Sequence, residues 1–156
     1  MSDELSKNGS AEKAAAVAAY DKIVESVELV DVRMMDVKFS VKPKYYSALE
    51  AERKGKGQLI RGYDGGVVNV TYDAELLVAS ARIDWHTEVT KGKSKLLNVE
   101  ATYYIMYRHV PDVGETHINA YLSKVGRFAT YPYFRGLVAH LSWESSADLP
   151  VMPVLK

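Results

Sequence analysis

The chain has 156 residues, with 20 Lys+Arg balanced by 20 Asp+Glu and no cysteine. Zero net charge argues against a protein built to neutralise nucleic-acid phosphates, and the lack of cysteine excludes disulfides and thiolate chemistry. A hydrophobic content of 47% suits one domain with a proper core, no apolar run is long enough to cross a bilayer, and residues 1–13 lack the basic and apolar regions of a secretory signal, so the cytoplasm is the expected location.

Residues 1–9 are polar and are expected to be disordered; residues 10–156 are read as one domain. Ser10 serves as an N-cap, Glu12 suits the first turn, and the alanine-rich run that follows predicts a helix over 10–25. Its apolar face, with Val17, Tyr20, Ile23 and Val24, is thin, so the helix must pack on something. Residues 27–110 read as four strands. In Val27–Val41, Val30, Val32 and Met34 alternate in one phase, and Met35, Val37, Phe39 and Val41 in the other, which predicts a bulge at Met34–Met35. Pro43 ends this strand, and Tyr45–Gly57 is a polar connection with one helical turn in Ser47–Arg53. Gln58–Asp73 is a second strand region, interrupted by the turn signal Asp64-Gly65-Gly66, after which Val68, Val70 and Tyr72 alternate.

The third strand, Leu77–Val89, puts Leu77, Ala79, Ala81, Ile83, Trp85 and Val89 on one face and Arg82, Asp84, His86 and Glu88 on the other. The fourth, Leu96–Val110, does the same with Leu97, Val99, Ala101, Tyr103, Ile105 and Tyr107. The loop Lys91-Gly92-Lys93-Ser94-Lys95 joins them as an antiparallel hairpin, and the alternation means one covered face and one wet face. Helices follow over 116–145. Thr116 caps the first, with Ile118, Tyr121, Leu122 and Val125 on its apolar face and Gly126 at its end. Pro132 opens the second, whose face is Phe134, Leu137, Val138 and Leu141. The prolines at 150 and 153 make 148–156 an extended apolar tail. Strands first and helices afterwards give an α+β class: a four-stranded antiparallel sheet with helices on one face, plus an extra N-terminal helix.

Catalytic signals are absent from the sequence. His86, His109, His117 and His140 show no metal-ligand spacing, and the glycine clusters lack the Lys-Ser/Thr of a phosphate loop. The wet-face acids Asp31, Asp36, Asp84 and Glu88 read as solvated charges. No metal, no other cofactor and no enzymatic activity are expected. Instead, Tyr121, Phe128, Tyr131, Tyr133, Phe134, Trp143 and Met152 are more apolar surface than one short helix can cover. They pack the core or an oligomer interface, or they form a surface that receives many sequences.

Three features in order resemble the SecB family of export chaperones: the Glu-containing strand Val99-Glu100-Ala101-Thr102-Tyr103-Tyr104-Ile105-Met106-Tyr107, the helix motif Tyr131-Pro132-Tyr133-Phe134-Arg135, and the tail Leu149-Pro150 with Met152-Pro153. The resemblance covers about residues 27–155. It implies a dimer or tetramer that holds unfolded polypeptide clients in an apolar groove without ATP. By position it implies a groove floor of Val99, Ala101 and Tyr103, joined by Tyr121, Phe128, Tyr131, Phe134, Trp143 and Met152. The balanced charge and the lack of a second C-terminal helix depart from the family and argue against docking to SecA. Export or folding is the role implied, an antitoxin-type client the second option, and a small-molecule-binding α+β domain the alternative. Neither nucleic-acid binding nor membrane insertion is expected.

Overall fold

The computed structural model describes residues 2–156, with side chains from residue 7 onward; Met1 lies outside the described residues. The elements run α1 (Ser2–Ser26), β1 (Glu28–Val41), α2 (Lys44–Arg53), β2 (Ile60–Asp73), β3 (Val78–Lys91), β4 (Ser94–Arg108) and α3 (Glu115–Ser145). The strands form one antiparallel sheet in the order β1-β4-β3-β2. The chain therefore crosses from one edge to the other between β1 and β2, by way of α2. This is the α+β architecture expected, with three differences of physical interest.

The first concerns β2. It is one uninterrupted strand, and Asp64-Gly65-Gly66 makes no turn. Gly65 lies opposite Trp85, and a Cβ there would stand 2.2 Å from the indole Cε3. The glycine is there to make room for a ring. Further along, a bulge at Val68 reverses the phase, so Val67, Val70 and Tyr72 face inward while Val68 is exposed. The expected bulge at Met34–Met35 is present in β1, and a second, at Val30, accompanies it.

The second concerns α3, a single 31-residue helix where two were expected. Gly126 is interior and buried, because the helix there crosses the sheet closely enough that a Cβ would meet Ile105 Cδ1 at 3.0 Å. Pro132 is interior too. It has no N–H for the Phe128 carbonyl, a cost of about 3 kcal/mol in an exposed helix interior. Burial of the neighbouring Thr130, Tyr131 and Phe134 offsets that cost and keeps the helix running. Gly114 at φ 94, rather than Thr116, occupies the N-cap.

The third concerns the ends of elements. Helix α1 starts at Ser2, so residues 2–9, expected to be disordered, are helical. It docks by its C-terminal part alone: Ala19 and Ile23 are buried, Tyr20 packs on Tyr121 at 5.7 Å, and Ser26 Oγ donates to the His109 carbonyl at 2.9 Å. Helix α2 spans ten residues, not one turn, and buries Tyr45, Ala48 and Leu49. Leu77 sits at φ 53 outside β3, which begins at Val78.

The core lies between the sheet and α3, centred on Trp85, which is 1% exposed. Its indole N–H donates to Thr130 Oγ1 at 2.8 Å, and that hydroxyl donates to the Gly126 carbonyl at 2.8 Å. Phe134 stacks on the ring at 5.8 Å, Tyr131 packs at 5.1 Å, and the Arg127 guanidinium lies 5.5 Å from its centre. No described helix is long and apolar enough to cross a membrane.

Candidate polypeptide-binding furrow

The residues following α3 turn back along it. Ser146 and Asp148 both adopt left-handed backbone, φ 54 and 49. Helix α2 holds this corner: Tyr45 Oη donates to the Ala147 carbonyl at 2.6 Å, Tyr46 Oη to the Ser145 carbonyl at 2.5 Å, and Arg53 pairs with the Asp148 carboxylate at 2.5 Å. Leu149 N–H then donates to Ser142 Oγ at 2.8 Å, and the Tyr131 hydroxyl donates to the Pro153 carbonyl. Met152 is buried, Leu149 and Leu155 are half-buried, while Val151 and Val154 are exposed. Inward residues thus recur every third position, the period of a polyproline II helix rather than a strand.

Helix α2 is itself tied to β2. Arg61 grips Glu52 through two hydrogen bonds, at 3.2 and 2.7 Å, and Leu59 N–H donates to the same carboxylate at 3.0 Å. These bonds hold the Glu52 carboxyl down at about 2, from an ordinary 4.5, with the Arg61 hydrogen bonds the larger cause. A depressed folded pKa means the stabilisation is fully present above pH 4.5 and is lost as pH falls towards 2. Glu52→Gln is therefore expected to flatten the acid limb of the urea midpoint against pH in that window.

Between the tail and α3 runs an open furrow of about 470 Å³, lined by Pro132, Arg135, Gly136, Val138, Ala139 and Ser142 on the helix side. On the other flank of the tail, towards β2, lies a smaller space of about 170 Å³ bordered by Arg61, Gly62, Tyr63, Thr87 and Val89. The sequence gives the furrow its shape. Phe128, Pro132, Gly136, Ala139 and Trp143 fall at helical spacings on one face of α3. Phe128 (47% exposed) and Trp143 (83% exposed) end this row, with small residues between them, and neither aromatic is part of the furrow lining. The two aromatics are about 22 Å apart along the helix axis at about 1.5 Å per residue, the length of about six or seven residues of extended chain.

The sequence-based candidates thus separate into groups. Val99, Ala101, Tyr103 and Phe134 are buried at 0–2% in the core and do not line the furrow. Tyr121 is buried in a cluster with Tyr20 and Tyr107, outside the furrow lining. Tyr131 bonds the tail at Pro153, Met152 is buried and lines the furrow, and Phe128 and Trp143 are exposed on α3 outside the furrow lining. Tyr63, which stacks on Tyr131 at 5.8 Å, Val89 and Val138 were missed. Tyr63 shares the inward phase of Gly65 and Val67, which the bulge at Val68 separates from that of Val70 and Tyr72, so finding it from the sequence requires both a continuous strand and that bulge. Burial pushes the Tyr103 and Tyr107 hydroxyls up to about 12 and raises that of Tyr131, so all three stay neutral.

The opposite sheet face is polar. Asp31 pairs with Arg33, Asp84 with Arg82, and Glu88 with Lys95. Asp84 also accepts from Thr102 Oγ1 at 3.0 Å. Among the described residues no three His, Cys, Asp or Glu side chains converge as a metal site would require.

No family model and no curated protein matches the sequence. Among solved structures, a SecB-like chaperone from Mycobacterium tuberculosis, in complex with a ChAD peptide from an antitoxin, superposes with a TM-score of 0.69 at 18% identity, covering 89% of this chain and 97% of that one. A protein of unknown function from Streptococcus agalactiae aligns at 11% identity with a TM-score of 0.36, over 83% of this chain and 97% of its own.

Proposed function

We propose that this chain, which has the SecB-like fold, is a non-enzymatic chaperone or adaptor that holds extended, unfolded polypeptide segments in the furrow beside α3. The observation that carries the reading is an open, mainly apolar furrow between α3 and the tail, on the helix face that also exposes Phe128 and Trp143. A closed cavity would favour a small ligand; an open track suits a chain that enters and leaves it. The peptide held by the mycobacterial neighbour supports a polypeptide client. It also favours a second, narrower version of the role, in which the client is an antitoxin segment.

Each large client side chain buried contributes roughly 1.5–3 kcal/mol, offset by the cost of ordering the client. Tight binding then needs several furrows acting together, which a homo-oligomer, dimeric or tetrameric, supplies. The edge strand β1, with Leu29, Val30, Met34 and Met35 exposed, has the apolar surface for such an assembly. The charges on the opposite sheet face are largely neutralised within the chain, which does not favour docking to SecA.

The test is light scattering from a heat-unfolded client. At a few-fold molar excess and without nucleotide, the protein is expected to suppress the signal. Unchanged aggregation would sink the proposal. Equal protection of an antitoxin and an unrelated client would remove the narrower version.

A further inference from the structure

The tail that walls the furrow is itself an extended apolar peptide lying against the protein. Leu149, Met152 and Leu155 turn inward at a spacing of three, and Pro150, Val151, Pro153 and Val154 between them are exposed. It is secured by few bonds: Leu149 N–H to Ser142, the Tyr131 hydroxyl to the Pro153 carbonyl, and burial of Met152. Space lies open on both flanks, about 470 Å³ towards α3 and about 170 Å³ towards β2. The corner before it is held by α2 through Tyr45, Tyr46 and Arg53, independently of the tail beyond. The segment after Asp148 can therefore lift while the corner stays in place.

We propose that residues 149–156 occupy, in cis, part of the client's seat (the strip that, once the tail lifts, joins the furrow beside α3 to the space towards β2), and that the preferred client is a polyproline II-like segment with a large apolar residue at every third position. This rests on the chaperone reading above and sharpens it. A strand-like client would show its apolar residues at every second position and would pair its backbone with a sheet edge. The tail does neither: its inward period is three, and its backbone bonds to the side chains of Ser142 and Tyr131. Clients of the right spacing bind by displacing it, so the tail sets a threshold that weaker segments fail to cross.

The experiment uses a fluorescent peptide with the sequence of residues 149–156 and three proteins: the full chain, the full chain with Met152→Ser, and the chain shortened after Asp148. The shortened chain and Met152→Ser are each expected to bind the peptide at least ten-fold more tightly than the full chain, since losing one buried Met side chain frees the seat by about that factor. The same Met→Ser change in the peptide is expected to weaken its binding to the shortened chain at least ten-fold. A peptide of the same composition with its large apolar residues at alternate positions is expected to bind more weakly by a similar factor. Should the shortened chain not fold, as judged by circular dichroism, Met152→Ser in the full chain decides the matter. Equal binding by all three proteins, weaker binding by Met152→Ser, or equal binding of the two peptide spacings would overturn the proposal. Client holding by the full chain with no gain on shortening would remove the cis-occupant and leave the chaperone reading standing. Peptide binding by the shortened chain with no client holding by any of the three would overturn the chaperone reading, and with it the shared seat.

Discussion

Replacing Trp85 with alanine is expected to lower the unfolding free energy by about 3–5 kcal/mol, the range for deleting a buried Trp or Phe. The value should fall at the upper end, because the surroundings cannot close in. One side of the ring is sheet backbone, where Gly65 offers no side chain to move. The other is α3, whose Phe134, Tyr131 and Arg127 are placed by the helix itself. The loss is not compounded by an orphaned hydroxyl, since Thr130 keeps its bond to the Gly126 carbonyl. Such a cost is a large part of a typical domain's total stability of about 5–15 kcal/mol. Urea unfolding followed by circular dichroism measures it. In the parent, Trp143→Phe leaves Trp85 as the one tryptophan, a buried fluorescence reporter. A loss below about 1.5 kcal/mol would mean that the site collapses and that Trp85 is not the centre of the core.

Gly65→Ala is expected to be nearly as damaging, at about 2–3 kcal/mol, although it adds a single methyl to a strand. The added carbon would sit 2.2, 2.3 and 2.8 Å from Cε3, Cδ2 and Cζ3 of Trp85. The ring cannot slide away, being held by its hydrogen bond to Thr130 and by Phe134. Either the β2 edge moves off or the indole leaves its rotamer. The sign should reverse when the ring is gone. In a Trp85→Ala background, Gly65→Ala is expected to stabilise by about 0.5–1 kcal/mol, because the strand loses a glycine's backbone entropy cost and nothing opposes the methyl. A cost of equal size in both backgrounds would show that Gly65 is required for its backbone and not for the ring.

These two residues also show where the chain was legible and where it was not. The alternation in β3 and β4 identified the inward residues, because a one-residue error would have put Arg82 and Asp84 in the core. The phase change at Met34–Met35 announced a bulge, and the prolines at 150 and 153 announced an extended tail. Asp64-Gly65-Gly66, by contrast, carries the same local signal whether it turns the chain or lies under an indole. Gly126 and Pro132 read as the end of one helix and the start of another for the same reason. Local propensity contributes about 1–3 kcal/mol at such positions, and the packing of α3 on Ile83, Ile105 and Trp85 outweighs it.

The candidate site followed the same division. The composition of α3 and the tail signalled apolar surface in excess, and sequence alone placed Tyr131, Met152, Phe128 and Trp143 among the candidates. Which of the aromatic side chains are core and which stay exposed depended on the path of one long helix across a twisted sheet. So did the three-residue period of the tail, since burial along it is set by what lies beneath. Periodicity within an element is a property of neighbours in the chain and can be read from it. The partner that a glycine, a proline or a tail residue meets lies tens of residues away, and only the folded chain brings the two together.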